Sequence, residues 1–111
     1  MTVNQWFKEF PGAIEVCDTA GILLEMNDRA AAQERGRDLI GTNILDCHPE
    51  PARTKLAEML ATGQANIYTI EKKGKKKLIY QAPWYVDGQY AGFVELDLEI
   101  PENMPHFIRQ G

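Results

Sequence analysis

Hydrophobic and polar positions change period repeatedly along this chain. In Thr2 to Phe10, the apolar residues Val3, Trp6, Phe7 and Phe10 recur at helical spacing, with Thr2 placed to cap. Pro11-Gly12 closes that segment. The spacing then drops to two over Ala13 to Asp18, which puts Ile14 and Val16 on one side of a strand. Thr19-Ala20-Gly21 turns the chain, and Ile22 to Met26 returns as a second strand. Asn27 or Asp28 caps a helix through Arg35, and Gly36 stops it. Arg37 to Ile40 reads as one more turn before Gly41.

The stretch Gly41 to Gly63, GTNILDCHPEPARTKLAEMLATG, carries the longest helix. Pro49 and Pro51 suit its first turn, where their missing N–H groups cost nothing, and Glu50 suits the positive end of the dipole. Leu56, Met59 and Leu60 form the inward stripe, with Ala52 one turn back, and Gly63 closes the helix. Three strand-like runs follow. Gln64 to Lys72 turns at Lys73-Gly74-Lys75 into Leu78 to Val86. Asp87-Gly88 is a strong hairpin signal before Tyr90 to Ile100. Pro83 inside the middle run points to a bulge or a strand edge. In the last run, Val94, Leu96, Leu98 and Ile100 alternate with Glu95, Asp97 and Glu99, a strand with one buried face and one face toward water or a partner. The order helix, two strands, helices, three strands predicts an α+β fold, an antiparallel sheet with helices on one face.

At 111 residues the chain is one domain, long enough for a core without staples. The expected divisions are an N-terminal flanking helix over 1–12, a folded domain over 13–101 and a tail over 102–111. A net charge of −4 argues against a nucleic-acid footprint. The two cysteines, Cys17 and Cys47, are too few for a disulfide framework and fit a reducing compartment. The sequence shows no secretory leader and no apolar run of membrane-spanning length, so the expected location is the cytoplasm, with no membrane contact.

Motifs for phosphate binding, dinucleotide binding, serine hydrolases and zinc proteases are absent. No carboxylate pair stands out, because the acidic residues fall at positions read as exposed. Cys47-His48 is the only close pair of reactive types, but chain neighbours point apart and make a poor dyad. The bland reading makes Cys47 a small core residue and His48 a bracket for the helix start. The sharper reading makes His48 a haem ligand or a polar contact for some other ligand, with thiol redox at Cys47 as a subsidiary idea. A metal centre is not expected. The lysine run from Lys72 to Lys77 reads as a solvated hairpin tip guarding a strand end. Tyr68, Tyr80 and Trp84 share parity in the late strands and are candidate cavity walls.

Several segments together resemble a PAS domain. AIEVCDTAGILLEMNDRAA resembles its opening hairpin running into an Asn-led helix, with Asp18, Gly21 and Asn27 at the matching places. GRDLIGTNILD resembles its middle, and YVDGQYAGFVELDLEIP its last two strands around a DG turn. The chain also looks similar to short, stand-alone bacterial PAS proteins carrying CHPEPAR and PWY. The resemblance covers Ala13 to Pro101. It implies a five-stranded antiparallel sheet, helices over one face, a cavity between them, and a sensory role. It further implies a homodimer formed through the N-terminal helix and the sheet. Flavin photosensors of the family place cysteine directly after the Asn of a G-x-N-C pattern. Here Gly41-Thr42-Asn43 is followed by Ile44, so a flavin adduct is not expected, while haem or non-covalent flavin stays open.

The leading expectation is therefore a non-enzymatic sensory module that binds a small ligand or cofactor. Asn43 and His48 would be polar contacts, and Tyr68, Tyr80 and Trp84 walls. A protein partner would carry the output. The alternatives are a small α+β enzyme of isomerase or hydrolase type using the same pocket, and a ligand-free dimerisation domain. A carboxylate or His48 deep in an open cavity with a strongly shifted pKa would favour the enzyme.

Overall fold

The computed structural model describes residues 4–111. Five strands form one sheet: β1 (Ala13–Asp18), β2 (Leu23–Met26), β3 (Asn66–Lys72), β4 (Lys75–Val86) and β5 (Gln89–Glu99). Their order is β2-β1-β5-β4-β3, every neighbour antiparallel. Helices α1 (Gln5–Lys8), α2 (Asp28–Gln33) and α3 (Ala52–Thr62) complete the fold, with a 3-10 turn at Ile44–Cys47. The α+β expectation holds. The first helix is shorter than its pattern predicts, and Thr2 and Val3 lie outside the described residues.

Local chemistry explains the connections. Asn27 is almost fully buried. Its Oδ1 accepts the N–H groups of Ala30 and Ile14, at 3.1 and 3.0 Å, and its Nδ2 donates to the Gly12 carbonyl at 2.8 Å. One side chain thus caps α2 and pins it to β1. Both late hairpins turn through pairs of residues with positive φ, Lys73-Gly74 and Asp87-Gly88, the geometry that matches the twist of antiparallel strands. Pro83 lies beyond the last β3–β4 pair, Asn66 with Gln81, so β4 is an edge there and loses no ladder bond. A bulge follows between Trp84 and Tyr85. Pro51 stands at the N-cap of α3, while Pro49 lies outside the helix. Arg37 to Ile40 forms no helix, because the Asp38 carboxylate accepts the Ile40 N–H at 3.0 Å and holds a turn instead.

The main core cluster is Cys17, Met59, Leu60 and Phe93, flanked by Ile44, Leu45, Leu56 and Tyr90. It lies between α3 and the sheet. Tyr90 anchors the helix by donating its hydroxyl to the Leu60 carbonyl at 2.9 Å. Ala52 is exposed and outside this stripe. Across β1, β5 and β4 the register places Cys17 opposite Phe93 and Phe93 opposite Pro83. Opposed residues share a face, so the helices cover the odd-numbered positions of these strands. Glu15, Glu95, Gln81 and Asp97 are therefore on the helix side. Ile14, Val16, Val94, Leu96, Leu98 and Leu78 are on the other. This corrects the sequence reading of β5, which sent its acidic row to water or a partner. The apolar row takes the face away from the helices instead.

Candidate functional site

A cleft opens between the sheet and the segment running from the 3-10 turn into α3. Its inner lobe, of about 60 Å³, is walled by Cys17, Leu23, Ile44, Leu56, Met59 and Phe93 and carries Glu15, Glu95, Gln81 and His48. An outer groove of about 160 Å³ shares His48, Leu56, Met59, Gln81 and Glu95, and adds Ala52, Lys55, Asn66 and Tyr68. The shared residues make the two one continuous site.

Its floor is a row of side chains crossing four strands in register, Asn66, Gln81, Glu95 and Glu15. Asn66 Nδ2 donates to Gln81 Oε1 at 3.0 Å, and Gln81 Nε2 donates to Glu95 Oε1 at 2.6 Å. Both amide donors therefore point the same way along the row, toward Glu95. Glu15 sits directly opposite Glu95. Opposed Cβ atoms are about 5 Å apart, and like charges there destabilise. Burial first, then the charges of Glu95 and Glu34, raise the Glu15 carboxyl to about 7. This pair escaped the sequence reading. The available signal was parity: Glu15 shares its side of β1 with Cys17, and Glu95 is two residues from Phe93.

The proposed site residues separate in space. Tyr68 is opposite Ile79 on the helix side and lines the outer groove. Tyr80 pairs with Leu96 and Ile67 on the other face. Trp84 pairs with Gly92, and its indole N–H donates to the Cys17 carbonyl at 3.0 Å. The single wall of Tyr68, Tyr80 and Trp84 is thus corrected. The hairpin register aligns even positions of β3 with odd positions of β4, which parity alone cannot foresee. Asn43 caps the 3-10 turn: its Oδ1 accepts the Leu45 N–H at 2.9 Å and its Nδ2 donates to the Ala20 carbonyl at 3.2 Å. Its amide holds backbone together and is absent from the cleft lining.

His48 ends the 3-10 turn rather than starting α3, and it lines both lobes. Its Nδ1 lies 2.6 Å from the Ile44 carbonyl. A carbonyl only accepts, so Nδ1 carries the proton and Nε2 of the neutral ring is an acceptor. Cys47 is exposed, against the core reading, and its thiol reaches the same Ile44 carbonyl at 3.4 Å. The two side chains therefore meet at one acceptor and form no nucleophile–base pair. Cys17 is the buried cysteine, its thiol pKa raised chiefly by burial. Lys77 departs from the picture of a fully solvated tip. It is mostly buried, on the helix side, and lies 3.6 Å from Asp97. No group of metal-ligating side chains exists among the described residues. None of the described helices is long and apolar enough to cross a membrane.

No family model matches the sequence, and no curated protein matches it. Solved structures do. The PAS domain of an HTR-like protein from Haloarcula marismortui is similar at 18% identity and a TM-score of 0.63, with 88% of each chain covered. The PAS domain of Bordetella pertussis BvgS is similar at 19% identity and a TM-score of 0.63, covering 86% of this chain and 82% of that one. The Aer2 receptor of Vibrio cholerae, described as a dual PAS–haem oxygen sensor, is similar at 19% identity and a TM-score of 0.51, covering 81% of this chain and 95% of that one. The chain has the fold of a PAS domain.

Haem and flavin do not fit this cleft. Sites for drug-sized ligands occupy roughly 300–1,000 Å³. The inner lobe and groove measure about 60 and 160 Å³, and two carboxylates stand on the floor.

Proposed function

We propose that this chain is a sensory module of PAS type that takes a small molecule into the cleft beneath α3. The observation that carries this reading is the polar row Asn66–Gln81–Glu95–Glu15, which lies under an apolar roof instead of facing solvent. Burying polar groups is costly unless they have a task or a partner. His48 and Tyr68 border the site and are the sequence-nominated residues that could touch a ligand there. Occupancy would act on Leu56 and Met59 of α3, and so on the helix–sheet packing. Any shift needs a ligand that binds two packings unequally. A cytoplasmic location and output through a second copy or a protein partner fit this role. Native mass spectrometry of protein purified from its own source tests it. A bound molecule of small mass, lost on substitution of Glu95 or Tyr68, is the expected result. Protein that carries nothing from its own source, with nothing added back binding the cleft, would sink it.

A second reading has an observation of its own. Glu15 is a carboxyl raised to about 7 in an open cavity, as a general acid or base of an isomerase or hydrolase would be. In that case Glu15→Gln would abolish turnover while leaving binding intact. In the sensor, the same change alters binding.

A further inference from the structure

The floor of the cleft has more acceptors than donors. Along the row, Asn66 donates to Gln81 and Gln81 to Glu95, and the relay stops there. Glu15, next in the row, receives no side-chain or backbone donor among the described residues. Neither glutamate has a basic side chain within salt-bridge distance in that set, where the ion pairs are Lys8–Asp28, Arg37–Glu34, Lys75–Glu99 and Lys77–Asp97. The two carboxylates share a cavity whose other walls are mostly apolar. Such a pair is relieved by a proton or by a cation that brings its own N–H donors.

We propose that the cleft is a receptor site for a small primary amine, its ammonium held between Glu15 and Glu95 and its hydrocarbon part against Leu56, Met59 and Phe93. This rests on the sensory-cavity reading and adds the charge and class of the ligand. An ammonium offers three donors and no acceptor, which matches a floor where acceptors outnumber donors. A carboxylate or phosphate ligand meets like charge there. A hard metal ion needs more oxygen ligands than this pair supplies. The inner lobe admits only a few heavy atoms. The other charged groups in reach are Glu34, which adds to the negative field, His48 at the end of the 3-10 turn, and Lys55 in the outer groove. Lys55 lines the outer groove and not the inner lobe, so it opposes a cation in the groove and not between the glutamates. Because Glu15 titrates near neutrality, binding an ammonium at pH 7 also displaces its proton.

The probe is n-butylammonium, with 1-butanol and butyrate as neutral and anionic counterparts of the same chain length. Each is titrated into the isotope-labelled full chain and followed by amide chemical shifts. The expected result is saturable shifts at Glu15, Gln81, Met59 and Phe93 with butylammonium, at least tenfold tighter than with 1-butanol and absent with butyrate. Glu15→Gln and Glu95→Gln each weaken it by about tenfold. Calorimetry in two buffers of different ionisation enthalpy should detect a fraction of a proton released at pH 7 and none at pH 9. Equal or tighter binding of 1-butanol or butyrate, or unchanged affinity in both variants, overturns the amine while the cavity reading stands. A native ligand without a cationic nitrogen does the same. If none of the probes moves the cleft and no molecule copurifies, both readings fall.

Discussion

Glu15 is the residue whose environment most changes its chemistry. Its raised pKa means that the folded protein holds a proton which the unfolded chain has already lost between about pH 4.5 and 7. Stability from this group is complete below the lower value, falls as pH rises through about 7, and is level above it. The full shift corresponds to about 3 kcal/mol, and the open cleft reduces that to the order of 2 kcal/mol. Glu15→Gln keeps the shape and removes the charge. Urea unfolding of this variant should match the parent at pH 5 and exceed it at pH 8 by on the order of 1–2 kcal/mol. Parallel curves for the two proteins over that range would remove the strain assigned to the Glu15–Glu95 pair. Asp97, on the same face, lies 3.6 Å from the Lys77 ammonium instead of a like charge. Its Oδ2 accepts from Gln33 at 3.0 Å, while its buried Oδ1 has no hydrogen-bond partner among the described residues.

At the scale of elements, the point where β1, β5 and β4 cross is held by a glycine. Gly92 has φ +140°, and a Cβ there would fall 1.9 Å from the Cys17 carbonyl oxygen. That same oxygen accepts the Trp84 indole N–H. Gly92→Ala must therefore push β1 and β5 apart and break the indole bond together. A loss on the order of 3 kcal/mol is expected, seen as a melting temperature lower by roughly 10 °C or more, with a changed tryptophan emission. An unchanged emission maximum would mean that the strands absorb the methyl elsewhere. The elements themselves were legible in the sequence. The Asp87-Gly88 turn, Asn27 as a cap and the alternation of β5 all name their structure locally. What the sequence withheld was which face the helices cover. Alternation says which residues of one strand share a side, and it is silent on which side faces the layer above. Val94, Leu96 and Leu98 look like a core row beside Glu95 and Asp97, so the acidic row was given to water. Tyr68 and Tyr80 failed to share a face for a related reason, since each hairpin register sets parity anew. His48 borders the cleft from the 3-10 turn, outside the sheet, whereas Tyr68 reaches the groove only because the β3–β4 register turns it to the helix side.

The inverted sheet bears on the whole molecule. Its helix side carries the charged floor of a cleft, and its other side carries Val94, Leu96 and Leu98 with Tyr80 39% and Ile67 50% exposed. The short α1 adds Trp6, 67% exposed, and Phe10. Val94, Leu96 and Leu98 are half-buried and Ile67 and Tyr80 exposed, and stable partners bury about 800 Å² each. We propose a homodimer that joins these faces with the N-terminal aromatics, so that a ligand on one side of the sheet is felt through the strands by a partner on the other. Leu96 stands at the centre of the face, opposite Ile14 and Tyr80 in the register. Leu96→Lys leaves the cleft untouched and places a charge where two copies would meet. Size-exclusion chromatography with light scattering should give a dimer for the parent at tens of micromolar and a monomer for the variant. The variant should keep its far-ultraviolet dichroism and its amide shifts around Glu15 and Met59. A parent that is monomeric at those concentrations ends both the dimer and the ligand-free dimerisation reading. A dimer that survives Leu96→Lys places the contact elsewhere.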